Sequence, residues 1–208
     1  MERIDVFPTQ VWINTTDNID NDALTEFILN EEKTSDNVNS GYNRFSASLG
    51  SWQSHAKLLD DFIREIPETI FGLDNLIKES TKEIILYNEY KEAVKIKYKG
   101  MWANINRYKD YNTSHVHPYS DWSGCYYVKT PENCGSIRFA DPRTVRHMLA
   151  QPHLYNLNQC SSERQGTEYR VLPKAGRLVM FPSFLEHQVE PNQSQELRIS
   201  ISFNLGLS

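Results

Sequence analysis

Long apolar runs, basic blocks and paired cysteines are all missing from this chain, and each absence removes a class of protein. No stretch approaches the ~20 consecutive apolar residues that a membrane-spanning helix requires, and Met1-Glu2-Arg3 leads into no signal-like apolar segment. The expected location is therefore cytoplasmic. The 22 basic residues are outnumbered by 27 acidic ones, giving a net charge of −5, and they form no cluster. No nucleic-acid partner is expected, because such binding leaves a concentrated Lys/Arg footprint. The three cysteines (Cys125, Cys134 and Cys160) are odd in number and lack CxxC spacing. That excludes a disulfide framework or a zinc knuckle and fits reduced thiols. Internal repeats and low-complexity linkers are also lacking. What remains is a chain of 208 residues, 39% hydrophobic and 24% charged, of a size that suits one domain with one core.

The pattern changes near residue 93, from helical periodicity to two-residue alternation. The opening Val6–Trp12 has strand composition, with Pro8 suited to an edge position. Leu24, Phe27 and Ile28 predict a helix over about 20–33, behind several Asn/Asp caps. Leu58, Leu59, Phe62 and Ile63 predict a second over about 54–65, ended by Pro67, and Leu76, Ile77, Ile84 and Ile85 a third over about 73–92. Such apolar stripes read as scaffold. Alternation begins with Val94, Ile96 and Tyr98 and resumes at Trp102, Asn104, Asn106 and Tyr108, where polar residues in phase predict a strand face lining something wet. Further strands are expected over 124–128, 136–139, 169–172, 177–181 and 197–205, separated by turns such as Pro131-Glu132-Asn133 and Lys174-Ala175-Gly176. Many short strands after a helical block predict an α+β, mainly β, single domain: an antiparallel sandwich or a jelly-roll (double-stranded β-helix) core over about 93–208, with helical support over 20–92 packed on one sheet. Residues 147–164 read as a long loop over the site.

Three of the six histidines stand out. His115-Val116-His117 stands where a strand is expected to begin, and His187 follows the strand over 177–181. Residues i and i+2 of a strand share a face, so His115 and His117 can present two imidazoles to one point. Neutral imidazole serves iron, zinc, copper and nickel, so the spacing does not choose the metal. The pair alone is a weak signal. His55 reads as a surface residue of a predicted helix, and His147 and His153 as solvent-exposed loop residues. Trp102 and Trp122 read as core or pocket wall, Asp141-Pro142-Arg143 as either a turn closed by an ion pair or a substrate contact, and Cys125, in phase with Ser123 and Tyr127, as a small inward-facing residue.

The order of the blocks carries more than any one of them. After His115-Val116-His117-Pro118 comes Ser123-Gly124-Cys125-Tyr126-Tyr127-Val128, then Phe139-Ala140-Asp141-Pro142-Arg143, then Pro173-Lys174-Ala175-Gly176-Arg177-Leu178-Val179-Met180-Phe181. Phe181-Pro182-Ser183, His187 and Arg198-Ile199-Ser200-Ile201-Ser202-Phe203-Asn204 close the series. In this order the C-terminal half, and more weakly Phe7-Pro8-Thr9, resembles the 2-oxoglutarate/Fe(II) oxygenase superfamily, most closely a bacterial and phage subfamily. The resemblance implies Fe(II) and 2-oxoglutarate as cofactors, oxygen as co-substrate, and hydroxylation of an organic substrate, peptide, prolyl or small molecule. It implies catalytic and metal roles for His115 and His187, puts His117 in the second ligand position, and implies a bidentate grip of Arg198 on the far carboxylate of 2-oxoglutarate. Ser200, on the same strand face, and Tyr127 would reach that carboxylate, and Asn104 and Asn106 the co-substrate or substrate.

One departure stands out: the superfamily's carboxylate in the second ligand position is replaced by His117. Three arrangements stay open. His117 itself binds; or Asp121 or a more distant carboxylate joins His115 and His187; or a coordination position is left free. Same-face geometry favours the three-histidine set. Two other functions compete: a cupin-like three-histidine iron dioxygenase that needs no 2-oxoglutarate, which leaves Arg198 and Ser200 without a role, and a non-catalytic jelly-roll module that holds a metal. A homodimer would form through an exposed strand edge or the N-terminal helices.

Overall fold

The computed structural model describes residues 1, 2, 4, 7–34, 48–54, 68–91, 94–143, 164–165 and 167–208. All but Ser54 of the helix expected over 54–65, with His55, and His147, His153, Cys160 and most of the loop expected over 147–164 lie outside these residues.

Two antiparallel sheets face each other. The first, in spatial order, contains β1 (Trp12–Thr15), β10 (Arg177–Pro182), β6 (Trp122–Lys129), β12 (Arg198–Leu207), β4 (Ile96–Asn106) and β3 (Trp52–Gln53). The second contains β2 (Ser48–Leu49), β5 (Tyr111–His115), β11 (His187–Val189), β7 (Ile137–Ala140), β9 (Glu168–Val171) and β8 (Arg164–Gln165). Two helices, α1 (Asn21–Thr34) and α2 (Glu68–Tyr87), cover the outer face of the first sheet. This is the expected double-stranded β-helix with helical support.

The period-two pattern of the central strands decides which side chains reach the space between the sheets. On β12, Ile199, Ile201, Phe203 and Leu205 pack against the helices, which turns Arg198, Ser200, Ser202 and Asn204 inward. On β6, Trp122, Tyr126 and Val128 join the helical core, while Cys125 and Tyr127 belong to a smaller inter-sheet core with Ile137, Phe139, Val179 and Phe181. On β10, Leu178 and Met180 face the helices and Val179 and Phe181 the other sheet.

Helix α1 begins where Asp20 accepts the backbone N–H groups of Asp22 and Ala23 (3.1 and 3.0 Å), as an N-cap should. Leu24 and Ile28, one turn apart, are its buried anchors. Helix α2 starts and ends about five residues earlier than the pattern predicts. It stops because Asn88 folds back to donate from its side chain to the Ile84 carbonyl (2.8 Å) and Glu89 takes a left-handed φ of 53°.

The first strand is also displaced: pairing with β10 starts at Trp12, where the predicted segment ends. The interrupted alternation after residue 94 is one continuous strand, β4, with a change of phase. Leu205 pairs with Tyr98 and Asn204 with Gly100, so Lys99 is the extra residue of a bulge. Before it Ile96 and Tyr98 pack on the helical core; after it Met101, Ala103 and Ile105 do, and Trp102, Asn104 and Asn106 face the inter-sheet space.

Candidate metal centre

β5 ends on His115, and β11 opens on His187 directly opposite it, the two residues being Cα partners across the ladder. The expectation that the HxH pair opens a strand is corrected: His115 ends one, and His117 lies two residues beyond it. His117 is nevertheless held in place, because its backbone N–H donates to the Ser183 carbonyl (2.9 Å) in the loop before His187. The result is a cluster in which one ligand atom from each of His115, His117 and His187 lies within 4.8 Å of the others. The ring centroids are 5.0, 4.3 and 5.1 Å apart for the pairs 115–117, 115–187 and 117–187. Phe181 and Phe139 flank His187, with centroids 4.6 and 6.1 Å away.

Burial keeps the three imidazoles neutral. Desolvation lowers the pKa of His115, takes His117 down to about 4 with help from His115, and takes His187 down to about 3. The Nδ1 atoms of His115 and His187 lie 2.7 and 2.8 Å from the carbonyls of Thr113 and Leu185. A carbonyl only accepts, so both rings carry the proton on Nδ1 and leave Nε2 as a bare donor.

These histidines form part of the wall of a cavity of about 350 Å³ between the sheets. All eight residues singled out in the sequence (His115, His117, His187, Arg198, Ser200, Tyr127, Asn104 and Asn106) line it. Cys125 and Trp102 line it too, the indole 5.9 Å from the His117 ring. Trp122, in contrast, is buried in the helical core. Among the described lining residues there is no carboxylate. Asp121 is drawn away from the cavity: its Oδ2 accepts the Leu207 backbone N–H (2.7 Å). Asp141 is held by Arg143, whose Nε lies 2.8 Å from Oδ1, the local ion pair that is one of the two sequence readings.

Arg198 is 1% exposed and makes no ion pair with a described carboxylate. Its Nη1 donates to the carbonyls of Cys134, Gly135 (3.2 Å) and Glu190 (3.1 Å). Gly135 is indispensable to this socket: at φ 82°, a Cβ there would stand 2.4 Å from the Glu190 oxygen. Arg198 Nη2 is buried without a partner, and so is the Asn106 amide nitrogen on the residue paired with it. A buried guanidinium without an anion is strongly disfavoured, and an anionic oxygen between these two orphaned donors would satisfy both. Three neutral nitrogen donors at one end and this pair at the other fit a divalent metal with a dicarboxylate 2-oxoacid between them. The socket of carbonyls and the Gln53 and Ser202 side chains that hydrogen-bond Asn104 (3.2 and 3.1 Å) escaped the sequence reading, since only distant strand pairing creates them.

Over residues 100–204 the sequence matches the family described as "Putative 2OG-Fe(II) oxygenase". No curated protein matches it. Similar solved structures include a prolyl hydroxylase from Trichoplax adhaerens in complex with a peptide fragment of hypoxia inducible factor (13% identity, 94% of this chain and 83% of that one, TM-score 0.59). A Pseudomonas putida prolyl-4-hydroxylase is similar at 14% identity over 95% and 92% of the two chains, TM-score 0.54. HygX from Streptomyces hygroscopicus, with nickel, 2-oxoglutarate and hygromycin B bound, is similar at 11% identity over 95% and 83%, TM-score 0.56. At these identities the likeness is one of fold.

Proposed function

The chain belongs to the 2OG-Fe(II) oxygenase family, and from that premise we propose that it hydroxylates an uncharged, polar carbon substrate, such as a prolyl or other peptide residue or a neutral small molecule. Iron(II) and 2-oxoglutarate are its cofactors. His115, His117 and His187 would hold the metal through neutral nitrogens. Arg198, buried with Nη2 free and with Asn106 beside it, would take the distal carboxylate of 2-oxoglutarate. Ser200 and Tyr127, neighbours across the β12–β6 ladder, would add hydroxyls on the same side, with Asn104 nearer the substrate. When bound, the metal and 2-oxoglutarate with oxygen supply the oxidising chemistry, releasing succinate and carbon dioxide and delivering one oxygen atom to a substrate carbon.

The single observation that carries this reading is the orphaned buried guanidinium in the cavity that the histidine cluster lines. A dioxygenase that needs no 2-oxoglutarate would have to bring it another anion, such as a substrate carboxylate. The substrate class rests on the remaining wall: among the described lining residues Arg198 is the sole side chain charged at neutral pH, and Gln53, Asn104, Asn112, Ser48 and Trp102 offer neutral hydrogen bonds and an aromatic face. Such a lining suits amide groups and disfavours strongly charged metabolites. Two of the similar structures are prolyl hydroxylases, consistent with a peptide substrate.

The test is anaerobic addition of iron(II) and 2-oxoglutarate to metal-free protein, following the visible charge-transfer absorption of the chelate. Wild type should give a band that needs both additions, and His187→Ala should not. Tight metal binding with no band would overturn the assignment in favour of a three-histidine site that does not take 2-oxoglutarate.

A further inference from the structure

The three histidines are not supported alike. His115 and His187 each have a backbone carbonyl at Nδ1. His117 Nδ1 faces the side-chain amide of Asn204, whose Nδ2 lies 3.5 Å away, while Asn204 Oδ1 accepts from Ser123 Oγ (2.7 Å). Ser123 Oγ in turn lies 2.7 Å from Ser183 Oγ, and both serines are 1% exposed. An NH₂ group donates and does not accept. With the amide turned this way His117 Nδ1 accepts and the ring proton belongs on Nε2, the nitrogen needed for a metal; the opposite orientation serves the other tautomer.

A metal on His117 Nε2 reverses the requirement. The proton must then reside on Nδ1, where it needs an acceptor, as a metal-bound imidazole donates its other N–H to an oxygen. Every link behind it can reverse, because amides and hydroxyls both donate and accept. We propose that Asn204 is a positioning residue for the metal centre: its amide turns end for end when metal binds, presenting Oδ1 to His117 Nδ1–H and donating from Nδ2 to Ser123. The inference rests on His117 being a ligand. It also gives a common purpose to polar residues from three separate sequence blocks, Ser123 beside Gly124, Ser183 after Phe181-Pro182, and Asn204 at the end of the Arg198 block.

The direct test is two-bond ¹H–¹⁵N correlation of the histidine rings in the full-length protein, without metal and with zinc(II). His117 should pass from the Nε2–H to the Nδ1–H tautomer on zinc binding, while His115 and His187 stay Nδ1–H throughout. A His117 that is Nδ1–H already without metal overturns the reversal. Competition with a chelator for the same zinc(II) supplies the second measurement. Asn204→Leu should weaken binding about ten- to a hundredfold. Asn204→Asp should restore it, since a carboxylate accepts from both His117 Nδ1–H and Ser123 Oγ–H. Equal loss in both variants, as a purely structural role predicts, overturns the proposal. Unchanged affinity in His117→Ala would instead strike the ligand assignment beneath it. The wild-type spectra decide the matter even where Asn204→Leu does not fold.

Discussion

Arg198 shows how far one side chain can be read on its own. Its place eleven residues after His187 implies a carboxylate partner only through the family resemblance, and only the fold reveals that three carbonyls occupy Nη1 and leave Nη2 free. A charge-assisted hydrogen bond contributes roughly 1.5–3 kcal/mol, so Arg198→Ala should raise the 2-oxoglutarate concentration at half-maximal succinate formation by about ten- to a hundredfold. An unchanged requirement would remove Arg198 from the 2-oxoglutarate site. His117 is the other informative residue. Replacing it with Ala should release most of the bound iron, measured by metal content after gel filtration, since the Asp121 carboxylate is engaged by the Leu207 N–H and cannot take its place without breaking that bond.

Between strands, the tightest constraint lies where β6 crosses Phe203 of β12. A Cβ on Gly124 would stand 2.2 Å from the Phe203 ring, which is fully buried. Gly124→Ala should therefore destabilise the protein by about 1–3 kcal/mol, read as a lowered denaturant midpoint with an unchanged slope. A midpoint equal to wild type would mean that the two strands can part there without loss. Strand type and facing were legible because burial on one face imposes period two on β6, β10 and β12. The two- and three-residue strands β2, β3, β8 and β11 were not, since so few residues display no period and exist as strands only through their partners. The bulge at Lys99 hid the unity of β4 for the same reason: its phase change answers to β12, a hundred residues away.

Across the whole molecule, the histidine cluster makes stability depend on pH. The folded protein depresses all three histidine pKa values below the ordinary 6.5, His117 to about 4 and His187 to about 3, chiefly by desolvation. Between pH 6.5 and those values the unfolded chain binds protons that the folded cluster refuses. Their contribution to stability is therefore complete above pH 6.5 and declines as the pH falls through the folded values. Denaturant midpoints of metal-free protein between pH 7.5 and 4.5 should follow this course, with a shallower fall in His187→Gln; identical slopes would place the dependence elsewhere. The sequence by itself determined the helical and strand periodicities, a choice of Asn/Asp caps ahead of α1, and the presence and order of the histidine, arginine and tyrosine blocks, because each is a matter of near neighbours and side-chain chemistry. Only the tertiary structure decided that His115 ends a strand, that Asp121 is spent on Leu207, that Cys134 and Gly135 cradle Arg198, and that Asn204 stands behind His117. Those contacts join residues some 60 to 90 positions apart, and no local pattern encodes which distant backbone group a folded chain will bring to a given side chain.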